Sequence, residues 1–322
     1  MKNKPIIIVG GEPNSIFLEI YLKSLKKNNF KKSNILIASK KLLLSQMKYF
    51  KYNFKINTID ENQISYKKIK KNEINIIDVE LKFKKPFEKI TRSSNKYIEE
   101  CFRISLKLLR SNNFSGLING PISKKSFLNG KFLGITEYIA NKTNKKQNIA
   151  AMLIYNKKLS VSPITTHLPV KDIHKNITRM KIIKHVKLIN NFYKKRLNRT
   201  PKIAVTGLNP HCESNYNFSE EDKVIKPALA YLNRNKFNIA GPFAADTIFM
   251  KNNLDKYDVV IGMFHDQVLT PLKALFGFNA INITLGLPFI RISPDHGPNT
   301  KMLGMNKSNP QSLIEALKFL DN

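Results

Sequence analysis

Short apolar runs alternate along the chain with stretches of helical periodicity, and this alternation is the feature that most limits the possible folds. Many of the runs are continuous in Ile, Val and Leu, which is typical of β-strands covered on both faces. The runs predicted as strands are Ile6–Val9, Ile35–Ala38, Ile74–Asp78, Leu117–Asn119, Ala150–Tyr155, Ser160–Thr165, Ile203–Thr206, Val259–Met263 and Ala280–Thr284.

Helical patterns separate several of these runs. Ser219, with Asp222 at the capping-box position, predicts the start of one helix, which Pro227 is expected to bend. Residues 40–72 are rich in Lys and Asn and are expected to include surface loops. Strands that alternate with helices predict an α/β fold with a largely parallel sheet. Apolar residues at three- and four-residue spacings predict further helices over Ser15–Lys27, Ser94–Arg110, Ile177–Tyr193 and Gln311–Leu320.

The composition is that of an ordinary globular chain. The chain is 42% hydrophobic and 24% charged, and its length of 322 residues suggests about two domains. No apolar run reaches the ~18 residues of a membrane-spanning helix, and residues 1–14 hold only a short apolar run, too short for a signal-peptide core. Cys101 and Cys212 are too few for a disulfide framework. We therefore expect a cytoplasmic protein and no membrane partner.

The strong positive charge raises nucleic-acid binding as an alternative class of function. The chain has 55 Lys and Arg against 23 Asp and Glu, a formal net charge of +32. The lysines are, however, scattered among Asn and Ile, as AT-rich codon usage produces, and residues 201–300 contain nine basic and nine acidic residues. No cluster of Lys and Arg is interleaved with aromatics. We interpret the charge mainly as a solvated surface and expect no specific nucleic-acid partner.

Three histidines each follow the end of a predicted strand: His167, His211 and His265. The carboxyl ends of strands in open α/β sheets form a ligand crevice, where three imidazoles suit a divalent metal with positions left open for substrate. The alternative is three loop histidines that never meet, and their spacing alone slightly favours it. His174 and His185 lie in Lys-rich helical segments and are expected on the surface.

Polar residues also flank the apolar runs between positions 241 and 300. Lys273 and Arg291 suit a phosphate or carboxylate if they converge, although each taken alone fits a surface charge better. The GGEPNS segment after the first strand lacks G-x-G-x-x-G and the P-loop Lys, so the standard nucleotide fingerprints are absent. The polar residues of this region are Asp246, Thr247, Lys273, Asn282, Arg291, Asp295 and His296.

Seven segments, taken together, resemble the 4-hydroxythreonine-4-phosphate dehydrogenase family of the pyridoxal phosphate pathway. They occur in family order and span nearly the whole chain, and the last is the longest and most specific. The segments are GGEPNSIFLEI (10–20), GLINGPISK (116–124), GITEYIA (134–140), TTHLPVKDI (165–173), GLNPHCE (207–213), GPFAADTIF (241–249) and FHDQVLTPLKALFGFNAINITLGLPFIRISPDHG (264–297).

The resemblance implies a fold similar to that of isocitrate and isopropylmalate dehydrogenases, with two α/β/α domains flanking a cleft. The first domain would comprise residues 1–127 plus 300–322. The second, residues 128–299, would carry most of the metal and substrate residues and the dimer interface. The family resemblance also implies a homodimer in which both subunits contribute to each active site.

The resemblance further implies the ligands of the site. His167, His211 and His265 would hold one divalent metal, Zn, Mg, Mn or Co, and Lys273 and Asp246 are the catalytic candidates. The cofactor would be NAD or NADP, bound without the Rossmann glycine pattern. The implied substrate contacts are Thr136, Lys273, Asn282 and Arg291.

The implied reaction is oxidation of 4-hydroxythreonine 4-phosphate to a β-keto acid, which decarboxylates to 3-amino-2-oxopropyl phosphate. Ile135 stands where the family has a pocket His, and this departure leaves open a dehydrogenase for another phosphorylated β-hydroxy acid. Nucleic-acid binding stays as the second class of function.

Overall fold

The chain folds into two compact units. The computed structural model describes residues 4–132, 134–143, 150–213, 219–277, 279–294 and 296–322. The first unit combines Met1–Asn144 with Pro288–Asn322, and the second is Lys145–Leu287.

The described residues form twelve β-strands, and every predicted apolar run is one of them to within about a residue at either end. The strands are β1 (Ile6–Val9), β2 (Asn34–Ala38), β3 (Ile56–Thr58), β4 (Ile74–Asp78), β5 (Gly116–Asn119), β6 (Ala151–Tyr155), β7 (Ser160–Thr165), β8 (Ile203–Thr206), β9 (Ile239–Phe243), β10 (Val259–Phe264), β11 (Ile281–Leu285) and β12 (Arg291–Pro294).

Nine α-helices lie within the same described ranges, and the four helices predicted from apolar spacing alone are among them. The helices are α1 (Phe17–Lys27), α2 (Lys40–Phe50), α3 (Asn95–Leu109), α4 (Ile135–Lys142), α5 (Arg179–Leu197), α6 (Lys226–Arg234), α7 (Lys251–Leu254), α8 (His265–Phe276) and α9 (Gln311–Asp321). Pro227 lies in the first turn of α6, directly after a wide turn over Glu221–Ile225.

The first unit is built on a parallel sheet. Its strand order is β3-β4-β2-β1-β5-β12, and each neighbouring pair runs parallel. All four residues of β1 are fully buried, because helices cover the sheet and leave an unbroken apolar run no exposed face. The predicted α/β class is confirmed.

The second unit contains a mixed sheet with the order β11-β6-β7-β10-β8-β9. The strands β7, β10, β8 and β9 are parallel, whereas β6 runs antiparallel to both of its neighbours. Buried Val161, Ala204 and Val260 from three adjacent strands pack with Val268 and Leu272 of α8. This packing places the start of α8 over the carboxyl ends of the parallel strands.

The unit boundaries differ from the ones predicted. Residues 128–299 were assigned to the second domain, yet α4 and β12 belong to the first unit. The physical reason is direct packing: β12 pairs with β5, and the Tyr138 ring of α4 contacts the rings of Phe102 and Phe127. Thr136 and Arg291 therefore belong to the first unit.

Residues 40–72 are more ordered than their composition suggested, because they contain α2 and β3. Ser39 caps α2 by accepting a hydrogen bond from the backbone N–H of Leu42. Leu42, Leu43 and Met47 are buried, while the exposed face mixes lysines with apolar Leu44 and Tyr49, which blurs the apolar periodicity.

His185 is buried, so its predicted surface position is wrong. It is only 2% exposed, and its Nε2 lies 2.6 Å from Ser162 Oγ of β7. The neighbouring Ile182, Val186 and Ile189 are also buried, so His185 lies on the apolar face of α5. Burial, with a smaller effect of the nearby Lys181 charge, lowers the pKa of His185 to about 3. Its imidazole is therefore neutral near pH 7.

None of the helices in the described part of the chain is both long and apolar enough to cross a membrane.

Candidate active site

The three strand-end histidines lie at one edge of the second unit. His167 comes two residues after β7, His265 is the first residue of α8 directly after β10, and His211 lies in the loop after β8. Because β7, β10 and β8 are parallel neighbours in that order, their carboxyl ends meet at the same edge. Sheet order thus brings together residues that are far apart in the sequence, with His265 on the central strand.

Two of the three imidazoles are already close. The ring centroids of His167 and His265 are 5.9 Å apart, with 37° between the ring planes. The Nδ1 of His265 lies 2.7 Å from Asp266 Oδ1, which leaves Nε2 on the opposite side of the ring. When a carboxylate accepts a hydrogen bond from one ring nitrogen of a histidine, the proton stays on that nitrogen. The other ring nitrogen then has a lone pair that can bind a metal.

His211 lies on an unusual turn. Both His211 (φ 58°) and Cys212 (φ 60°) adopt the left-handed conformation, which is uncommon for non-glycine residues. The His211 side chain is exposed. Within the described ranges, no group of three His, Cys, Asp or Glu side chains is close enough to hold a metal ion.

The donor chemistry nevertheless fits a divalent metal. Three imidazoles on adjacent strand ends would provide nitrogen ligands and leave positions for substrate oxygens. Two of these rings are in contact distance and the third lies on an exposed loop at the same edge.

The buried Glu221 holds the backbone of the His211 loop. Its Oε1 accepts hydrogen bonds from the backbone N–H groups of Leu208 (2.7 Å) and Asn209 (2.9 Å), and its Oε2 accepts from Asn209 Nδ2 at 2.8 Å. Burial opposes ionisation of Glu221, but these hydrogen bonds outweigh it and lower the pKa of the carboxyl. Sequence analysis did not identify Glu221 as a site residue.

The remaining predicted residues of the second unit are spread over three elements. Lys273 is exposed on α8, and Asp246 is exposed in the segment after β9. Asn282 lies on β11 and is half-buried. Its Oδ1 is buried and has no hydrogen-bond partner among the described residues.

Arg291 is the most deeply buried cation predicted for the site. It is fully buried in the first unit, where its Nε donates to Asn119 Oδ1 (2.7 Å) and its Nη1 donates to Thr136 Oγ1 (3.2 Å). Burial lowers the pKa of Arg291 to about 10, partly offset by the negative charge of Glu137. The structure therefore brings Thr136 and Arg291 together, and it adds Asn119, which sequence analysis missed although it ends a predicted strand.

Another missed residue, Glu12, follows β1 in the GGEPNS segment. It is 1% exposed, and burial raises its pKa to about 7, opposed by hydrogen bonds from the Asn14 backbone and the Ser94 side chain. After β12 in the same unit, His296 stacks on Phe17 at a centroid distance of 6.5 Å. Asp295 lies outside the described residues.

The class of the protein follows from two features: imidazoles at the carboxyl ends of parallel strands in the second unit, and a buried guanidinium on β12 of the first unit. It is an α/β protein whose polar strand ends are typical of a small-ligand site.

The particular family follows from comparison with known proteins. Residues 31–320 match the family described as pyridoxal phosphate biosynthetic protein PdxA, and the chain belongs to this family. The family membership predicted from the seven segments is therefore confirmed.

Curated relatives agree over nearly the whole length. The chain is 36% identical to the 4-hydroxythreonine-4-phosphate dehydrogenase of Sulfurihydrogenibium sp. (strain YO3AOP1), over 98% of this chain and 96% of that protein. It is 32% identical to the enzyme of the same name from Aquifex aeolicus (strain VF5), with 99% and 98% covered.

Solved structures show the same fold. The crystal structure of 4-hydroxythreonine-4-phosphate dehydrogenase from Klebsiella pneumoniae matches with a TM-score of 0.84 at 28% identity, covering 98% of each chain. A terephthalate 1,2-cis-dihydrodiol dehydrogenase from Burkholderia xenovorans LB400 matches with a TM-score of 0.66 at 17% identity and shares the fold alone.

Proposed function

We propose that the protein catalyses the NAD-dependent and metal-dependent oxidation of 4-hydroxythreonine 4-phosphate. The observation that carries the proposal is the near full-length similarity to relatives of that name. The strand-end histidines and the buried Arg291 support it, because the reaction needs both a metal and anion-binding groups.

The substrate's secondary alcohol loses a proton and a hydride to give a ketone. The hydride goes to NAD, and the ketone lies β to the carboxylate. Loss of carbon dioxide from this β-keto acid, followed by protonation of the carbon, leaves 3-amino-2-oxopropyl phosphate.

His167, His211 and His265 would hold the metal. When bound, a divalent ion supplies Lewis acidity that favours ionisation of the substrate alcohol, and NAD or NADP supplies the hydride acceptor. The imidazoles are neutral ligands, so the positive charge of the site is not cancelled by the protein.

Thr136 would donate a hydrogen bond to the substrate. Its hydroxyl has one proton and two lone pairs, and Arg291 Nη1 occupies a lone pair at 3.2 Å. A Thr hydroxyl beside a buried guanidinium suits a phosphate or carboxylate oxygen of the substrate. Arg291 adds a positive charge at this position, while Asn119 fixes the plane of the guanidinium.

Lys273 and Asn282 would complete the substrate contacts. The exposed Lys273 ammonium suits a phosphate or carboxylate and is the candidate to relay the alcohol proton. The buried Oδ1 of Asn282 fits a ligand donor such as the substrate amino group. Asp246 is the second catalytic candidate, as a polar partner near the metal.

The test is NADH formation by the purified protein with 4-hydroxythreonine 4-phosphate and added divalent metal, with a chelated sample as control. Turnover that disappears on chelation and returns with metal supports the proposal. Absence of turnover with every phosphorylated β-hydroxy acid tried contradicts it.

A related substrate is the second candidate, and Ile135 favours it. Ile135 is the first residue of α4 and is adjacent to Thr136, yet its side chain cannot form hydrogen bonds. A pocket with this less polar corner would accept a different phosphorylated β-hydroxy acid. A substrate panel compared by kcat/KM separates the two candidates.

We also propose that the protein acts as a cytoplasmic homodimer, in which each subunit contributes to its partner's site.

A further inference from the structure

One partly buried carboxamide joins the ends of two histidine-bearing strands. Gln267 Oε1 accepts hydrogen bonds from the Met263 backbone N–H (2.7 Å) and from Thr206 Oγ1 (2.9 Å). Its Nε2 donates to the Gly207 carbonyl at 2.8 Å. Gln267 on α8 is therefore bonded both to β10 and to the end of β8.

The first turn of α8 packs tightly enough to hold this side chain in place. A Cβ built on Gly262 of β10 would lie 2.5 Å from Val268 Cγ1 and 3.0 Å from Gln267 Oε1. Only glycine at that position therefore lets the helix approach the strand so closely. Val268 is fully buried in the core of the unit, so the helix start cannot shift without disturbing that core.

The residues joined by these hydrogen bonds lie within a few positions of all three histidines in the sequence. Gln267 is two residues after His265, and Gly207 is four residues before His211. The third strand end is tied in separately, because Thr165 Oγ1, two residues before His167, donates to the Met263 carbonyl at 2.7 Å.

We propose that Gln267 is a positioning residue that fixes two histidine-bearing segments, the loop of His211 and the start of α8 with His265, for metal binding. This inference rests on the metal site of the proposed function. An imidazole binds a metal ion only if its nitrogen is held about 2.0–2.1 Å from it. His211 is on an exposed loop, so its position depends on what fixes the base of that loop.

The decisive variant is Gln267→Met, which keeps the length of the side chain and removes its three hydrogen bonds. The matched control is Gln46→Met in the first unit. Gln46 is 1% exposed, and its Nε2 likewise donates to a backbone carbonyl, that of Pro86. Co²⁺ affinity is measured by calorimetry and by visible absorption, at a temperature where circular dichroism shows each protein to be folded.

We expect Gln267→Met to weaken Co²⁺ binding roughly 10–100-fold, the usual effect of losing a partner that orients metal ligands. Gln46→Met should bind as the wild type does. Thr206→Val removes one hydrogen bond and leaves the carboxamide in place, so it should weaken binding by a smaller factor of about three or more. If Gln267→Met does not fold, the Co²⁺ affinity of Thr206→Val tests the positioning role instead.

The outcomes are distinguishable. A wild-type protein that binds no Co²⁺ contradicts the proposed metal site itself. Wild-type binding with unchanged affinity in Gln267→Met, or in Thr206→Val if the first variant is unfolded, overturns the positioning role. A lower melting temperature with unchanged affinity identifies Gln267 as a purely structural residue and overturns it as well.

Discussion

At the scale of single residues, the ionisable groups of this chain fall into two kinds. The strand-end imidazoles are partly or fully exposed, so their removal costs the core little. Arg291, Glu221 and His185 are almost completely buried, and each is held by specific hydrogen bonds. Substitution in the first group should affect chemistry, whereas substitution in the second should also affect stability.

We expect His211→Ala to abolish metal-dependent turnover and to leave the melting temperature nearly unchanged. An exposed loop side chain buries little apolar surface, yet it would supply a third of the protein ligands. Metal titration, turnover and thermal unfolding should be compared with those of His174→Ala, another exposed histidine. Normal metal dependence in His211→Ala would show that the three histidines do not form the site.

The buried His185 predicts a pH-dependent stability. Its pKa is about 3 in the folded protein and near 6.5 in an unfolded chain, so only the unfolded state takes up a proton between those values. The contribution of neutral His185 to the free energy of unfolding is therefore complete above about pH 6.5 and is lost as the pH falls towards 3. Between about pH 7.5 and pH 5.5 this group lowers the free energy of unfolding by about 1.4 kcal/mol.

Urea unfolding at both pH values measures this contribution. His185→Gln, which cannot titrate, should lose about 1.4 kcal/mol less than the wild type over this interval. His174→Gln should behave as the wild type does. An identical pH dependence in wild type and His185→Gln would mean that His185 is not the titrating group.

At the scale of elements, the turns after strands β1 and β5 place the polar residues of the first unit. Gly11 has φ +72°, and a Cβ built on it would lie 2.4 Å from the Pro121 carbonyl oxygen. The Glu12 backbone N–H donates to the same carbonyl at 2.8 Å. This contact between two turns fixes Glu12 beside the end of β5, and only glycine permits it.

We expect Gly11→Ala to destabilise the protein more than Gly130→Ala does. Both glycines have positive φ, +72° and +75°, but nothing lies within 4 Å of a Cβ built on Gly130. Gly130→Ala therefore measures the backbone cost alone, about 1–2 kcal/mol. Gly11→Ala adds the clash with the Pro121 carbonyl. If urea unfolding showed the same loss of stability in both variants, the turn at Gly11 would relax without cost around the added methyl group.

At the scale of the whole molecule, charge is the most prominent property. The chain carries a net charge of +32, while residues 201–300, which include His211 and His265, are neutral. Such a surface attracts anionic substrates and any polyanion alike. Nucleic-acid binding that is lost by about 0.2 M salt would be this background attraction. Tight binding that persists above that salt concentration would support nucleic-acid binding as the function.

We expect a homodimer at micromolar concentration in the presence of metal and NAD, because the proposed site draws ligands from both subunits. Sedimentation velocity measures the assembly state directly. Mixing His211→Ala with a Lys273→Ala variant adds a sharper test, because hybrid dimers would regain part of the activity if the His211 and Lys273 of one site come from different subunits. A monomer that turns over at the full rate would contradict the shared site.

Much of the fold was predictable because its signals are local. Continuous Ile and Val runs such as Ile6–Val9 bury both faces wherever they lie, so the strands could be found without knowledge of their partners. The helix α2 was missed because apolar Leu44 and Tyr49 on its exposed face blur the spacing of the buried Leu42, Leu43 and Met47. Local periodicity is hard to recognise where apolar residues also lie on the exposed face of a helix.

The sequence by itself determined the α/β class, the strands and the family, because strand propensity, apolar periodicity and the motif series depend on neighbouring residues. Only the tertiary structure decided the order β7-β10-β8, which brings three distant histidines to one edge. Only it showed that Arg291 and His185 are buried. Strand order and burial result from competition among all apolar faces of the chain, and no local window of sequence contains that competition.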